Sequence, residues 1–137
     1  MFEKLKEIQA QVEAARAQMK KNGQEALKEA FVEFFNAHPE VSALQWRQYT
    51  PYFNDGDPCT FRRNEVEVQL AADEDGEFYD SDYGLPEELK ADWDKAAGAI
   101  DELEGLIDDD LALTLFDDGV IVTATIDGFE VVEYNHD

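Results

Sequence analysis

The spacing of apolar positions changes several times along the chain, and each change marks an element. In residues 3–21, Leu5, Ile8, Val12, Ala15 and Met19 stand three and four apart. That is the spacing of a narrow a/d seam on a helix. Asn22-Gly23 supplies a helix stop, with Lys20 and Lys21 well placed for the last turn. In residues 25–37, Leu27, Ala30, Phe31, Phe34 and Phe35 make a wider stripe, suited to a helix that faces a core. His38-Pro39 ends it. The seam of Leu5, Ile8, Val12 and Met19 has two readings. It packs against the second helix, or it joins two copies of the chain.

The period then drops to two. In residues 42–50, Leu44 and Trp46 alternate with Gln45, Arg47 and Tyr49, the mark of a strand. A loop rich in Pro, Asn, Asp and Gly covers 51–60. Residues 61–71 alternate again, with Val66, Val68 and Leu70 on one face and Glu65, Glu67 and Gln69 on the other. Residues 42–71 therefore read as a hairpin. An acidic loop follows at 73–84. Pro86 then opens a helix over 86–107, with Glu87 and Glu88 at its positive end. Its apolar stripe is Leu89, Trp93, Ala96, Ile100, Leu103 and Ile107.

In residues 111–135, Asp118-Gly119 and Asp127-Gly128 separate alternating apolar runs. Asp-Gly is a preferred dipeptide of two-residue hairpin turns, so this stretch predicts a three-stranded meander. Turns of that form set the register. Leu113 then faces Ala124, which faces Val131. Leu111 faces Ile126, which faces Phe129. Phe116 faces Ile121, which faces Tyr134. The expected class is α+β, with about three helices and a mainly antiparallel five-stranded sheet in the order α-α-β-β-α-β-β-β. The 137 residues fit one domain spanning 1–137.

Charge adds what periodicity does not show. The formal net charge is −22. Residues 1–63 hold nine acids and nine bases, whereas residues 64–137 hold 24 acids and only Lys90 and Lys95. All of the net charge thus falls in the second part. Such a field repels phosphate and excludes ordinary backbone-directed nucleic acid binding, which needs Lys and Arg. It favours a basic protein surface as partner. Asp101, Glu102, Glu104, Asp108, Asp109 and Asp110 crowd the end of the 86–107 helix, where carboxylates oppose the macrodipole. Asp117, Asp118, Asp127 and Glu130 extend the acidic set into the meander. Carboxylates spaced along a surface imitate nucleic acid phosphates, which gives the ten acids a role in binding a basic partner.

Other chemistry finds less support. Asp73-x-Asp75-Gly76 resembles the middle of a calcium-binding loop, but Ala71 stands at the first ligand position, so no metal site is assigned. Asn54, Asp55, Asp57 and Cys59 form a loop of possible functional interest, and Asn-Asp-Gly-Asp-Pro is also ordinary turn chemistry. His38 and His136 belong to no catalytic constellation, so neither catalytic residues nor a cofactor are expected. One cysteine permits no intrachain disulfide. The first residues lack the apolar core of a signal peptide, and no apolar run nears the ~18 residues of a membrane helix. A cytoplasmic protein is expected.

The segment 46-WRQYTPYFNDGDPCTF-61 resembles one found in small uncharacterised proteins of bacteria and their phages. The resemblance brings no established activity. It implies a bacterial or phage-infected cell and a host-targeting or anti-defence role. The sequence therefore points to an acidic, non-enzymatic inhibitor that sequesters a basic, nucleic-acid-binding protein. An immunity-type protein against a basic toxin is the alternative. A scaffold assembled through the N-terminal helix is a second alternative, and a metal-dependent enzyme a third.

Overall fold

The computed structural model describes residues 1–51 and 60–134. It is an α+β fold with one antiparallel sheet and helices packed on one of its faces. In chain order the elements are helix α1 (Glu3–Ala37) and strands β1 (Val41–Tyr49), β2 (Arg62–Arg63), β3 (Glu67–Leu70) and β4 (Phe78–Tyr79). A short 3₁₀ turn (Glu87–Leu89) then leads into α2 (Lys90–Leu106), α3 (Asp109–Phe116), β5 (Val120–Thr125) and β6 (Gly128–Glu133). The order therefore departs from the expected α-α-β-β-α-β-β-β, and the described sheet has six strands rather than five.

The sheet runs β4-β3-β1-β5-β6. Strand β1 is central. Leu44 pairs with Val68 on one side and with Ala124 on the other. Strand β2 pairs with β1 further along, Gln48 opposite Arg63, so β2 and β3 are two pieces of one interrupted edge. The expected 61–71 strand is thus broken, but Val66, Val68 and Leu70 are all buried as its alternation required.

Alternation on β1 places Leu44, Trp46 and Gln48 on the helix-covered face and Gln45 and Arg47 on the other. Leu27, Phe31, Phe34 and Phe35 of α1 bury their stripe against that face. The centre is aromatic. Phe31 lies 6.0 Å from Trp46 and 5.2 Å from Phe129, and Phe116 lies 5.8 Å from Trp46 and 5.1 Å from Phe129. Fully burying one such side chain contributes roughly 1.5–3 kcal/mol, and each well-set ring pair adds about 1 kcal/mol.

Two expectations from local pattern are overturned. The first is the break at Asn22-Gly23. Helix α1 passes through it without interruption. A side chain at Gly23 would place its Cβ 2.9 Å from Leu115 Cδ2, so the glycine makes room for α3 rather than ending a helix. Gln24 Nε2 then donates to the Leu115 carbonyl at 2.7 Å. With one straight helix, the seam of residues 5–19 cannot fold back on the next one.

The second is the meander. Residues 109–116 are helical, so the pairings of Leu111 and Leu113 with β5 do not form. Asp108 caps this helix, accepting the Leu111 N–H at 2.7 Å, and Asp109 and Asp110 fill its first turn. Its inward residues, Ala112, Leu115 and Phe116, follow helical spacing. Asp118-Gly119 is a helix-to-strand corner, with Asp117 at φ 71° and Gly119 at φ 73°. The second hairpin does exist. However, Thr125 pairs with Gly128 and Ala124 with Phe129, so Ile126 and Asp127 form the turn. The register differs from that expected by two residues, which leaves every side chain on its expected face.

Candidate functional site

The ten acids singled out by sequence fall into three places rather than one face. The first is the junction between α2 and α3. Here Arg63 does much of the building. Its Nε donates to the Ile107 carbonyl at 3.0 Å and its Nη2 to the Glu104 carbonyl at 3.1 Å, which satisfies the open end of α2. Glu104 Oε1 accepts the Val66 N–H, and Asp109 Oδ1 accepts the Arg63 N–H at 2.9 Å. Glu104, Asp108 and Asp109 are therefore bound into the frame. The expectation that Asp108, Asp109 and Asp110 oppose a helix C-terminus is reversed, because they sit at the positive end of α3. Asp101 and Glu102 do lie in the last turns of α2, which contain no base. They are exposed and make no ion pair among the described residues. Asp110 is exposed beside Thr60, Phe61 and Leu113 around a hollow of about 390 Å³.

The second place is the corner after α3. Asp118 accepts both the N–H and the hydroxyl of Thr50, at 2.9 and 2.8 Å. The Asp117 carboxylate lies 3.6 Å from Lys20 Nζ. Asp127, in the β5–β6 turn, shares a groove of about 580 Å³ with Asp117, Lys20, Lys21 and Lys28. Asp117 and Asp127 face the bases of α1, so their field is locally offset. The third place is the uncovered face of the sheet. Glu130 is exposed there opposite Thr123, near the row of Arg47, Ile121 and Val132.

The acidic loop at 73–84 is built as a turn and includes β4. Asp73 accepts the N–H groups of Asp75 and Glu77, both at 3.2 Å, and Gly76 takes φ 64°. The Tyr79 hydroxyl lies 3.2 Å from Glu77 Oε2 and 3.4 Å from Asp73 Oδ2. Burial, with the Asp73 and Glu77 charges, pushes this phenol up to about 12. Among the described residues, no group of three or more His, Cys, Asp or Glu side chains is placed to hold a metal ion. Near α1, burial raises the Glu40 carboxyl, but the hydrogen bond with His38, 2.9 Å away, a backbone hydrogen bond and the charges of His38 and Lys95 together leave it below the usual carboxylate range.

Leu5, Ile8, Val12 and Met19 are all exposed, at 60, 54, 43 and 69%. Asn54, Asp55, Asp57 and Cys59 lie outside the described residues, as does His136. Two residues of structural weight escaped the pattern reading, Arg63 and Gln48. Gln48 had a visible signal: it shares the parity of Leu44 and Trp46, which puts a polar side chain on the core face. No described helix is long and apolar enough to cross a membrane. No protein-family model, curated protein or solved structure matches the chain.

Proposed function

We propose that this is a non-catalytic acidic binding protein that occupies the basic, nucleic-acid-binding surface of another protein in the bacterial cytoplasm. The observation that carries this reading is the lack of internal neutralisation. Of the acids in residues 64–137, Glu67, Glu87, Asp92 and Asp117 meet a Lys or Arg among the described residues. Most of the 24 carry their charge outward. Framework duties account for Glu104, Asp108, Asp109 and Asp118, and the bases of α1 offset Asp117 and Asp127, which narrows the recognition set to Asp101, Glu102, Asp110 and Glu130. Exposed acids without partners repel one another and the rest of the chain. They attract a cationic surface at long range, more weakly as salt rises. The resemblance of residues 46–61 to small bacterial and phage proteins supports a host-targeting setting.

The test uses the immobilised full chain in bacterial lysate at low and high ionic strength. A nucleic-acid-binding protein should be retained at low salt and released at high salt, and adding the free chain should displace its nucleic acid. The triple variant Asp101→Asn, Glu102→Gln, Asp110→Asn should weaken both effects. Failure to retain any basic protein at low salt, or retention without displacement, would overturn the reading.

A further inference from the structure

The longest helix of the fold leaves its own core behind. Every residue from Met1 to Met19 is exposed, and the first buried side chain of α1 is Leu27. The projecting part spans about 28 Å at ~1.5 Å per residue. A helix of this length is marginal in water, and most helical stability in proteins comes from packing an apolar stripe. The stripe here is Leu5, Ile8, Val12, Ala15 and Met19. Its intervals of three, four, three and four average the 3.5-residue repeat of a coiled coil rather than the broader face that packs on a sheet. No segment of the chain among the described residues covers it.

We propose that residues 3–19 pair with the same segment of a second copy as an antiparallel two-helix coiled coil. A seam that repeats identically in both copies closes with two-fold symmetry. Opposing a and d positions sets Leu5 across from Ala15 of the second copy and Ile8 across from its Val12, with Met19 at the end of the overlap. The central apolar residues thus meet one another. The flanking positions place Lys4 opposite Gln18, Gln9 opposite Gln9, and Gln11 opposite Gln11, so no like charges face each other.

Charge selects the direction. Residues 1–21 hold three acids and five bases, net +2, whereas residues 22–137 hold 30 acids and six bases, net −24. Parallel arms would bring two bodies of −24 side by side. Antiparallel arms hold them apart by the length of the overlap, about three Debye lengths of roughly 8 Å at physiological salt. They also point each positive arm toward the negative body of the other copy. The inference is independent of the proposed function, although a dimer of this form would present two acidic bodies at once.

Two measurements decide it. Light scattering of the full chain should give twice the monomer mass, and Ile8→Asp with Val12→Asp should return it to monomer while keeping the emission of buried Trp46. A monomer at every concentration overturns the pairing, as does a variant that keeps its dimer mass. For direction, Leu5→Cys and Ala15→Cys are made separately in a Cys59→Ser background and oxidised. The mixture should form a covalent heterodimer and neither variant alone should crosslink. Crosslinking of Leu5→Cys with itself overturns the antiparallel arrangement. Absence of any crosslink in the mixture overturns the pairing, including where the aspartate variant fails to fold.

Discussion

The Trp46 indole N–H donates to Gln48 Oε1 at 3.0 Å, two residues along the same face of β1. Gln48 in turn donates through Nε2 to the Ala112 carbonyl at 2.9 Å and the Asp117 carbonyl at 2.7 Å. It is fully buried, and three of the four hydrogen bonds its side chain can make are formed inside the protein. One amide thus connects the central strand, the core tryptophan and both ends of the last two turns of α3. Gln48→Leu would leave the indole N–H and the Asp117 carbonyl without this partner, while the Ala112 carbonyl keeps its bond within α3. Each buried orphan costs about 1–3 kcal/mol, so a loss of ~3–5 kcal/mol is expected in urea unfolding. A loss under about 1 kcal/mol would show that water reaches these groups.

Arg63 ends α2 from outside the helix, through the carbonyls of Glu104 and Ile107. The last turn of that helix contains no base of its own. Arg63→Met should destabilise the fold by about 1.5–3 kcal/mol, the range for hydrogen bonds made by a charged group. Arg63→Lys should recover less than half, because an ammonium lacks the planar fork that reaches two carbonyls at once. Chemical denaturation of the three proteins side by side measures the ranking.

Gly23 and Leu115 form a fitted pair. Gly23→Ala gains about 1 kcal/mol of helix preference but pushes a Cβ into the Leu115 methyl, so its net effect should be small. Gly23→Val carries more bulk, and overpacking of this kind costs about 1–3 kcal/mol. The penalty should shrink when Leu115→Ala removes the obstructing methyl. A double-mutant cycle reads this as a coupling energy, and additivity would mean the two residues do not touch in solution.

Tyr79 predicts an alkaline signature. Its phenol is favoured in the protonated form, being raised from 10.0 to about 12. The associated stability is complete below pH 10 and disappears as pH rises through about 12. Ultraviolet titration of the five tyrosines should therefore show a late step that Tyr79→Phe removes. The urea midpoint of the unmodified protein should also fall more steeply between these limits than that of Tyr79→Phe. Equal slopes would place Tyr79 in open solvent.

Much of the fold was legible where one period dominates a stretch. The stripe of Leu27, Phe31, Phe34 and Phe35, the alternation of Val66, Val68 and Leu70, and the row from Leu89 to Ile107 all face the core. The errors came where two signals competed. Residues 111–116 satisfy both periods, since Leu111, Leu113 and Leu115 alternate while Ala112, Leu115 and Phe116 follow a helix. Asp108 was the tie-breaker, because an Asp just before an apolar run is a helix start. At Gly23 the local stop signal was real, but its cause is an element 90 residues away. Of the acidic residues, composition indicated the field but not its division. Whether a carboxylate faces water or holds an N–H depends on neighbours such as Arg63 and Thr50, which adjacency in sequence does not reveal.

The central position of β1 also governs the order in which the protein can come into being. Its two long neighbours are β3, reached by a short excursion, and β5, whose Ala124 lies 80 positions beyond Leu44. Closing that distance must precede any reward from the pairing, which makes such contacts slow to form. During synthesis, the β1 edge that β5 will cover emerges before its partner and stays bare, with Trp46, Phe31 and Phe34 beside it, until Val120–Thr125 has left the ribosome. An unpaired strand edge flanked by aromatics is a starting point for aggregation. The strongly acidic stretch made in the interval, residues 64–118, would hold neighbouring nascent chains apart by repulsion until β5 arrives to close the sheet.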